Sequence, residues 1–514
     1  MTQLGEQPRC AATTLANAPM TMRIVDYTKT TGVGMSQSLA NFSRNPIREI
    51  RLGLTGRASN RPPGPRGRAF IGVLPEYQKD PFSYLRNCAG QYGDVFSVPL
   101  PGMDVVCVNH PDYVGQIMAD NTGGYSMVGP FESLARTVIG ASIPYMEGEP
   151  FRRRRRLITP MFRNSSLSGL SPAIVDEFTR RIDAWSRWAD EGTTVDLQHE
   201  IAWLTMPAFM RAMFGITVTD DEIHHLDVDI RTTMKMLSAA MLVNKPPNLR
   251  PGGPDNLWRA YRRTRRWIDA QIERRLANPI DGVDLLQVLL DARDEDGDPL
   301  SRKDLIAELM ILIGGGYETV VASTAWTLAL LRDNPAALTR LYQEVDALDS
   351  RPPTYADLER LTWVKACFDE GQRMQGHPFH PRIAMRDNEI GGYRIPKGTV
   401  VGVSVYALHR DLRWWQNPDV FDPNRFTDPE STAARPALAY IPFGAGPHRC
   451  IGSQMGYMNA IFILTLLHQR YHLEIDPGWR PTHASTFSCT IDGGLPVRLR
   501  HRQPADLGDT RQPV

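Results

Sequence analysis

The chain has 514 residues, of which 42% are hydrophobic and 22% charged, and its 58 basic side chains nearly balance 57 acidic ones. This is the composition of an ordinary globular protein, and a net charge of +1 argues against a nucleic-acid binder, which carries a strong basic excess. Six scattered cysteines (Cys10, Cys88, Cys107, Cys367, Cys450, Cys489) form no CxxC pair, zinc spacing or dense disulfide framework, which points to a reducing compartment.

No run of about 18 apolar residues suggests a transmembrane helix. Residues 1–30 lack the continuous apolar core of a signal peptide. Residues 1–60 read as a poorly ordered extension, in which Met20, Met22 and Met35 are alternative starts. From Arg44 to Arg68 there are seven arginines and one acid, Glu49. A solvated basic linker is the preferred reading, and a weak membrane-surface contact through anionic lipid is the sharper one. Arg61-Pro62-Pro63-Gly64-Pro65 makes a stiff, polyproline-like entry to the folded part. Residues 94–108 alternate as short strands about a Pro101-Gly102 hairpin turn. Residues 120–147 keep no period and read as a loop.

Phe151-Arg152-Arg153-Arg154-Arg155-Arg156-Leu157 follows. Such a run is usually a solvated helix face, but Phe151 and Arg155 lie four apart and share one side. Residues 171–245 are helical in period. Met206, Met210 and Met213 form a stripe, with Met234, Met236 and Met241 beyond it. Core packing and the lining of an adaptable apolar pocket are equal alternatives for that stripe. Ser301 with Asp304 resembles a capping box. Leu305, Leu309, Leu312, Ile313, Trp326 and Leu330 then recur until Asn334-Pro335, predicting a helix of roughly 30 residues, about 45 Å long. In its middle stands Gly314-Gly315-Gly316. Each glycine costs ~1 kcal/mol inside a helix. Either two shorter helices meet there, or one helix is bared so that a flat group can approach.

Glu370-Gly371-Gln372-Arg373 is a Glu-x-x-Arg pair, a weak signal alone. Gly391-Gly392 reads as a tight hairpin turn and Asp492-Gly493-Gly494 as a second, while Val400, Val401, Val403 and Val405 mark a strand. Residues 501–514 read as a disordered tail. Between these lies Phe443-Gly444-Ala445-Gly446-Pro447-His448-Arg449-Cys450-Ile451-Gly452, followed by an apolar helical run from Met455 to Leu467. Glycines let backbone N–H groups approach the sulfur, and the helix start adds a positive dipole end. Both favour thiolate over thiol. The plain alternative is an inert, buried cysteine in a turn.

The spacing Phe-x-x-Gly-x-x-x-Cys-x-Gly resembles the haem-binding loop of the cytochrome P-450 family. The resemblance implies a mainly α fold with a small β part over residues 61–500. It makes Cys450 the thiolate ligand of haem iron and places Phe443, Gly444, Gly446 and Gly452 around the cofactor. Gly315-Gly316-Tyr317-Glu318-Thr319 is similar to the family's oxygen-activation motif. Gly315 and Gly316 would then lie along the haem, and Glu318 and Thr319 would relay protons to dioxygen. Val320 stands where a second threonine is frequent. Glu370, Arg373 and Arg425 match the family's ion-pair network, which would lock the cysteine loop. Arg155, Arg382 and His448 match propionate-binding positions. Phe151 departs from the family's tryptophan or histidine there, so one propionate hydrogen bond must be missing or replaced. The remaining arginines of the run would fan out as a positive docking face for an acidic electron donor. Tyr125, Met127 and Phe131 fall in the variable segment over the substrate. His377, Phe379 and His380 fall in the turn aimed at the distal face, and Phe487 in a second such turn.

The implied function is haem-thiolate monooxygenation: one atom of O2 enters an apolar small molecule and the other leaves as water. The implied cofactor is haem b, with O2 as co-substrate. No flavin or iron–sulfur segment is present, so a separate ferredoxin and ferredoxin reductase are expected, in a soluble, bacterial-type, cytoplasmic protein. A peroxygenase or a haem-thiolate isomerase is the alternative within enzymes, and Glu318-Thr319 speaks against both. A haem-based ligand sensor is the non-enzyme alternative, but no output domain is visible. No motif names the substrate.

Overall fold

The computed structural model describes residues 60–127, 136, 140–234, 256–280, 284–293, 297–377, 379–484 and 488–502. Of the expected extension only Asn60 is described, and the tail beyond Arg502 lies outside. The strand Pro496–His501 passes residue 500, and Arg502 grips Asp346 through two hydrogen bonds of 2.5 and 2.6 Å. Packing therefore continues past the expected boundary at residue 500.

The architecture is predominantly helical. The helices that position the site are α1 (Pro81–Tyr92), α2 (Pro111–Met118), α3 (Gly148–Ile158), α4 (Asn164–Asp183), α5 (Leu197–Phe214), α6 (Asp220–Met234), α7 (Leu257–Ala277), α8 (Arg302–Leu331), α9 (Pro335–Asp346), α10 (Thr362–Gln375) and α11 (Ser453–Arg470). Local chemistry sets their starts. Asp80 caps α1 by accepting from the N–H groups of Phe82 and Ser83, with Pro81 at the first helical position.

Helix α8 is the centre. It runs unbroken for 30 residues through the glycine triplet, so the two-helix alternative fails. Ser301 caps it through the Asp304 N–H at 3.1 Å. The other half of the capping box is redirected: the Asp304 carboxylate accepts from the Ala141 N–H at 2.8 Å and ties the loop before α3 to the central helix. Length and composition would let α8 cross a membrane, but 72% of its apolar stretch is buried by α5, α10, α11 and their neighbours. Met206, Met210 and Met213 are fully buried on α5, which resolves that stripe as core. Arg154 of α3 and Glu308 of α8 form a buried ion pair at 2.7 Å. Burial pushes the Glu308 carboxyl up to about 7 against the opposing pull of Arg154.

Among the described residues the β part holds three small sheets. The largest has the order β1-β2-β8-β5-β3, from Val95–Leu100, Met103–Val108, Val400–Val403, His380–Ala384 and Tyr125–Ser126. Strands β1 and β2 pair antiparallel about the expected Pro101-Gly102 turn, and β2 runs parallel to β8 with Val105 opposite Val400. Strands β6 (Asn388–Ile390) and β7 (Tyr393–Ile395) flank Gly391 and Gly392, both in the left-handed region that this turn requires. Two strand expectations change. Val405 starts a short helix capped by Ser404, so the valine strand ends at Val403. The Asp492-Gly493-Gly494 turn does not join two ladder strands. It leads into β10 (Pro496–His501), which pairs with β4 (Thr194–Asp196) and β9 (Tyr471–Glu474).

Candidate functional site

The cysteine loop is held by its own backbone. The Cys450 N–H donates to the Phe443 carbonyl at 2.9 Å, and the Arg449 N–H to that of Gly446 at 3.0 Å. Gly444 and Gly446 have φ of 71° and 70°, where glycine fits without strain. A Cβ on Gly446 would lie 1.9 Å from the Met118 carbonyl oxygen, so this glycine lets the loop rest on the end of α2. Gly444 and Gly452 face more open ground, with nearest atoms at 3.7 and 3.8 Å. Cys450 is exposed, yet the surrounding protein raises its thiol pKa by desolvation, as it would for a sulfur facing internal space. The Gly452 N–H and the charges of Arg155 and Arg449 pull the other way and are outweighed. The expectation that the loop alone favours thiolate therefore fails. A metal cation bound at this sulfur would ionise the thiol outright.

On α8 the three glycines meet three different needs. A Cβ on Gly314 would lie 2.5 Å from the Met234 sulfur of α6, and one on Gly316 would lie 2.2 Å from the Phe209 ring of α5. Both glycines admit packing from neighbouring helices. Gly315 alone of the three meets nothing within 4 Å. Four residues on, and so on the same flank, the Thr319 hydroxyl donates to the Gly315 carbonyl at 2.8 Å. Glu318 is buried beside Tyr317 and Cys489, whose ionisation it opposes.

Arg382 and Arg155 make no ion pair with a carboxylate among the described residues. Arg382 is 5% exposed and makes one hydrogen bond, to its neighbour Pro381 at 2.8 Å. Arg155 donates to the Arg449 carbonyl at 2.5 Å. Desolvation lowers the pKa of both. His448 lies 3.1 Å from Glu147 and stacks on Phe151, with ring centroids 4.0 Å apart. Phe151 thus supports the histidine ring. Burial would raise the Glu147 carboxyl, but His448, the Met127 N–H and the Ser126 hydroxyl hold it below its ordinary range.

This donor set fits haem. One thiol stands in a glycine-rich loop, one helix flank is bare at Gly315, and the buried Arg382 and half-buried Arg155 carry charge that a pair of propionates would balance. Among the described residues no trio of His, Cys, Asp or Glu could hold a bare ion. A single thiolate suits a metal that brings its other ligands in a macrocycle.

The arginine run divides. Arg154 is buried on Glu308, and the exposed Arg152 and Arg156 both hold Glu149, at 2.8 and 2.6 Å. The positive face is therefore smaller than a five-arginine fan.

The Glu-x-x-Arg pair is fully buried. Arg373 reaches both Glu370 oxygens at 2.6 and 2.7 Å, and Arg425 joins at 3.3 Å. A residue that sequence reasoning missed carries this network to the cysteine loop. Arg373 donates to the His409 carbonyl at 2.8 Å, and the His409 ring nitrogen Nε2 accepts the Ile441 N–H at 2.9 Å, two residues before Phe443. Burial and the charges of Arg373 and Arg410 keep that imidazole neutral, as an acceptor must be. No local spacing marks His409 for this.

The pocket candidates scatter. Phe131 and Phe487 lie outside the described residues. The Tyr125 ring packs against the apolar cluster of Val95, Ile117 and Met118, where burial pushes its hydroxyl up to about 12. Phe379 packs against the β1–β2 cluster and over Gly402, so it turns into the sheet. Met127 is half-buried, its N–H held by Glu147 at 2.6 Å. His377 and His380 stand with ring centroids 4.6 Å apart, and desolvation keeps His380 neutral.

Comparison with known proteins agrees with this geometry. The family model described as Cytochrome P450 matches residues 62–491. Cyclooctatin synthase of Streptomyces melanosporofaciens is 28% identical over 448 residues, covering 85% of this chain and 94% of that protein. Cyclooctat-9-en-7-ol 5-monooxygenase of the same organism is 29% identical, covering 80% and 88%. The crystal structure of the cytochrome P450DA haem domain superposes with a TM-score of 0.75 at 26% identity, covering 87% of this chain and 98% of that one.

Proposed function

The chain belongs to the cytochrome P450 family, and from that premise we propose how this haem-thiolate monooxygenase uses its own residues. Cys450 holds the iron of haem b, and Arg155, Arg382 and His448 take its propionates. When bound, the haem supplies the oxidising chemistry that splits O2 between product and water. The observation that carries the rest is the Thr319 hydroxyl, bonded to the Gly315 carbonyl beside the bare flank of α8. Its proton is engaged with that carbonyl, and its oxygen is left to accept a hydrogen bond from a water or a protonated group on the open side. Glu318, one residue earlier and buried, replenishes that proton.

Thr319→Ala removes the hydroxyl and keeps helix propensity, so fold and Cys450 ligation should survive. NAD(P)H should still be consumed, with more hydrogen peroxide and less product per NAD(P)H. General acid–base participation is worth ~10²–10⁴-fold, so the loss should be plain, and Thr319→Ser should restore much of it. An unchanged product-to-peroxide ratio would remove Thr319 from the mechanism.

Electrons come from a separate ferredoxin and its reductase, in the cytoplasm. Arg152, Arg153 and Arg156 form the docking face for the acidic donor. Reversing their charge should slow haem reduction by such a ferredoxin, most strongly at low salt. Equal reduction rates at every ionic strength would assign those arginines to solvation alone. The substrate is an apolar small molecule. The relatives' names direct the first screen to cyclic, largely hydrocarbon compounds, scored by displacement of water from the ferric haem.

A further inference from the structure

Glu147 stands where the elements that carry the three propionate candidates meet. It occupies the N-cap position of α3, yet its side chain makes no capping hydrogen bond there. Serine, threonine, aspartate or asparagine would serve that position better. The carboxylate is engaged elsewhere. Oε1 accepts the Met127 N–H at 2.6 Å and the Ser126 hydroxyl at 3.0 Å, and Oε2 lies 3.1 Å from Nε2 of His448. These contacts hold His448 together with the end of β3. Ser126 pairs with Ile383 of β5, the strand residue next to Arg382. The charge of Glu147 favours the protonated Arg382 guanidinium against desolvation.

The His448 ring is fixed on its face and on one edge. Phe151, one turn into α3, stacks on it with an interplanar angle of 27°. Arg155, a further turn on, has its guanidinium carbon 5.9 Å from the centre of the same phenyl ring. An ionised carboxylate accepts and does not donate, so the ring presents Nε2–H to Glu147. Nδ1, on the other edge, makes no hydrogen bond among the described residues. A carboxylate among groups that would hold two further carboxylates meets like-charge repulsion. Packing alone would be served by an uncharged side chain, so the hydrogen bond to the ring is what the acid provides.

We propose that Glu147 is a positioning residue for the cofactor: it fixes the His448 ring through Nε2, with Phe151 against its face, and leaves the opposite edge for a carboxylate of the haem. This rests on the reading of His448 as a propionate-binding residue, and it adds the group that sets the ring. It also makes Ser126 and Met127 partners of the same carboxylate, so the strand beside Arg382 and the histidine of the cysteine loop are aligned by one side chain.

The test is the rate of haem transfer from loaded, full-length protein to apomyoglobin, which reads the hold on the cofactor without turnover. Glu147→Ser puts a favoured cap at the start of α3 and is too short to reach His448, so the fold and the thiolate spectrum should be kept. Haem release should quicken about 10-fold, the size of one charge-assisted hydrogen bond. Glu147→Gln should restore most of the loss, because its amide accepts from Met127 and donates to the ring in its other tautomer. Glu147→Ser combined with His448→Ala should release haem no faster than His448→Ala alone, since both act through one ring. Wild-type release by Glu147→Ser beside fast release by His448→Ala overturns the role of Glu147 and leaves the histidine in place. Additive effects in the double variant also overturn it, because Glu147 would then act only by holding Ser126 and Met127. Wild-type release by His448→Ala removes the histidine from the cofactor reading, and this role with it.

Discussion

Cys450→Ser should abolish the strongly red-shifted Soret band that reduced, carbon-monoxide-bound protein owes to a thiolate ligand. The sulfur sits in a loop that leaves the alternatives no room. Its backbone is pinned by the Cys450 N–H to Phe443 carbonyl bond at 2.9 Å, and the Gly452 N–H points at the sulfur. The other described cysteines, Cys88, Cys107, Cys367 and Cys489, are buried, and desolvation raises their thiols. None is placed to take over. Serine is nearly isosteric, so the loop should form, but its hydroxyl is far harder to ionise and is a poor ligand for the iron. The loss should be complete, with reduced haem retention. A normal thiolate spectrum in the variant would exclude Cys450 as the ligand. The raised thiol pKa adds a condition: protein prepared without haem should react slowly with thiol reagents at neutral pH, because the thiolate is scarce until the metal binds.

The second large effect is expected at Glu370. Glu370 and Arg373 have no exposed side-chain surface, so Glu370→Ala leaves a guanidinium in the core with carbonyl acceptors but no counter-charge. Breaking a buried pair in this way costs about 3–5 kcal/mol. The damage should reach the cofactor, because the same Glu370 oxygen accepts the Asp422 N–H at 2.9 Å, and Arg373 passes through His409 to the cysteine loop. Urea midpoint and haem-to-protein ratio should fall together. Replacing both partners, Glu370→Leu with Arg373→Met, should recover part of the midpoint, since an apolar pair leaves no orphan charge. A Glu370→Ala midpoint equal to wild type would mean that the pair contributes nothing to stability.

What could be read from the chain was whatever a short stretch decides by itself. The cysteine loop shows in sequence because glycine at a left-handed φ and a helix start after Gly452 are local requirements. The 30-residue helix shows because its cap and apolar recurrence are also local. Glu370 and Arg373 are three apart on one helix, so their pairing is written in the spacing. The tertiary structure decided the rest, because the answer lay in a side chain from far along the chain. Nothing in Gly314-Gly315-Gly316 says that Met234 takes the first, Phe209 the last, and neither the middle. Nothing near Phe151 says that it supports His448, or that Glu147 holds that histidine from 301 residues away. Arg154 reads like its four neighbours until Glu308 draws it into the core. Periodicity carries which face of an element is turned inward. It does not carry which distant atom fills the space there, and on this helix that filling separates the packing glycines from the bare one.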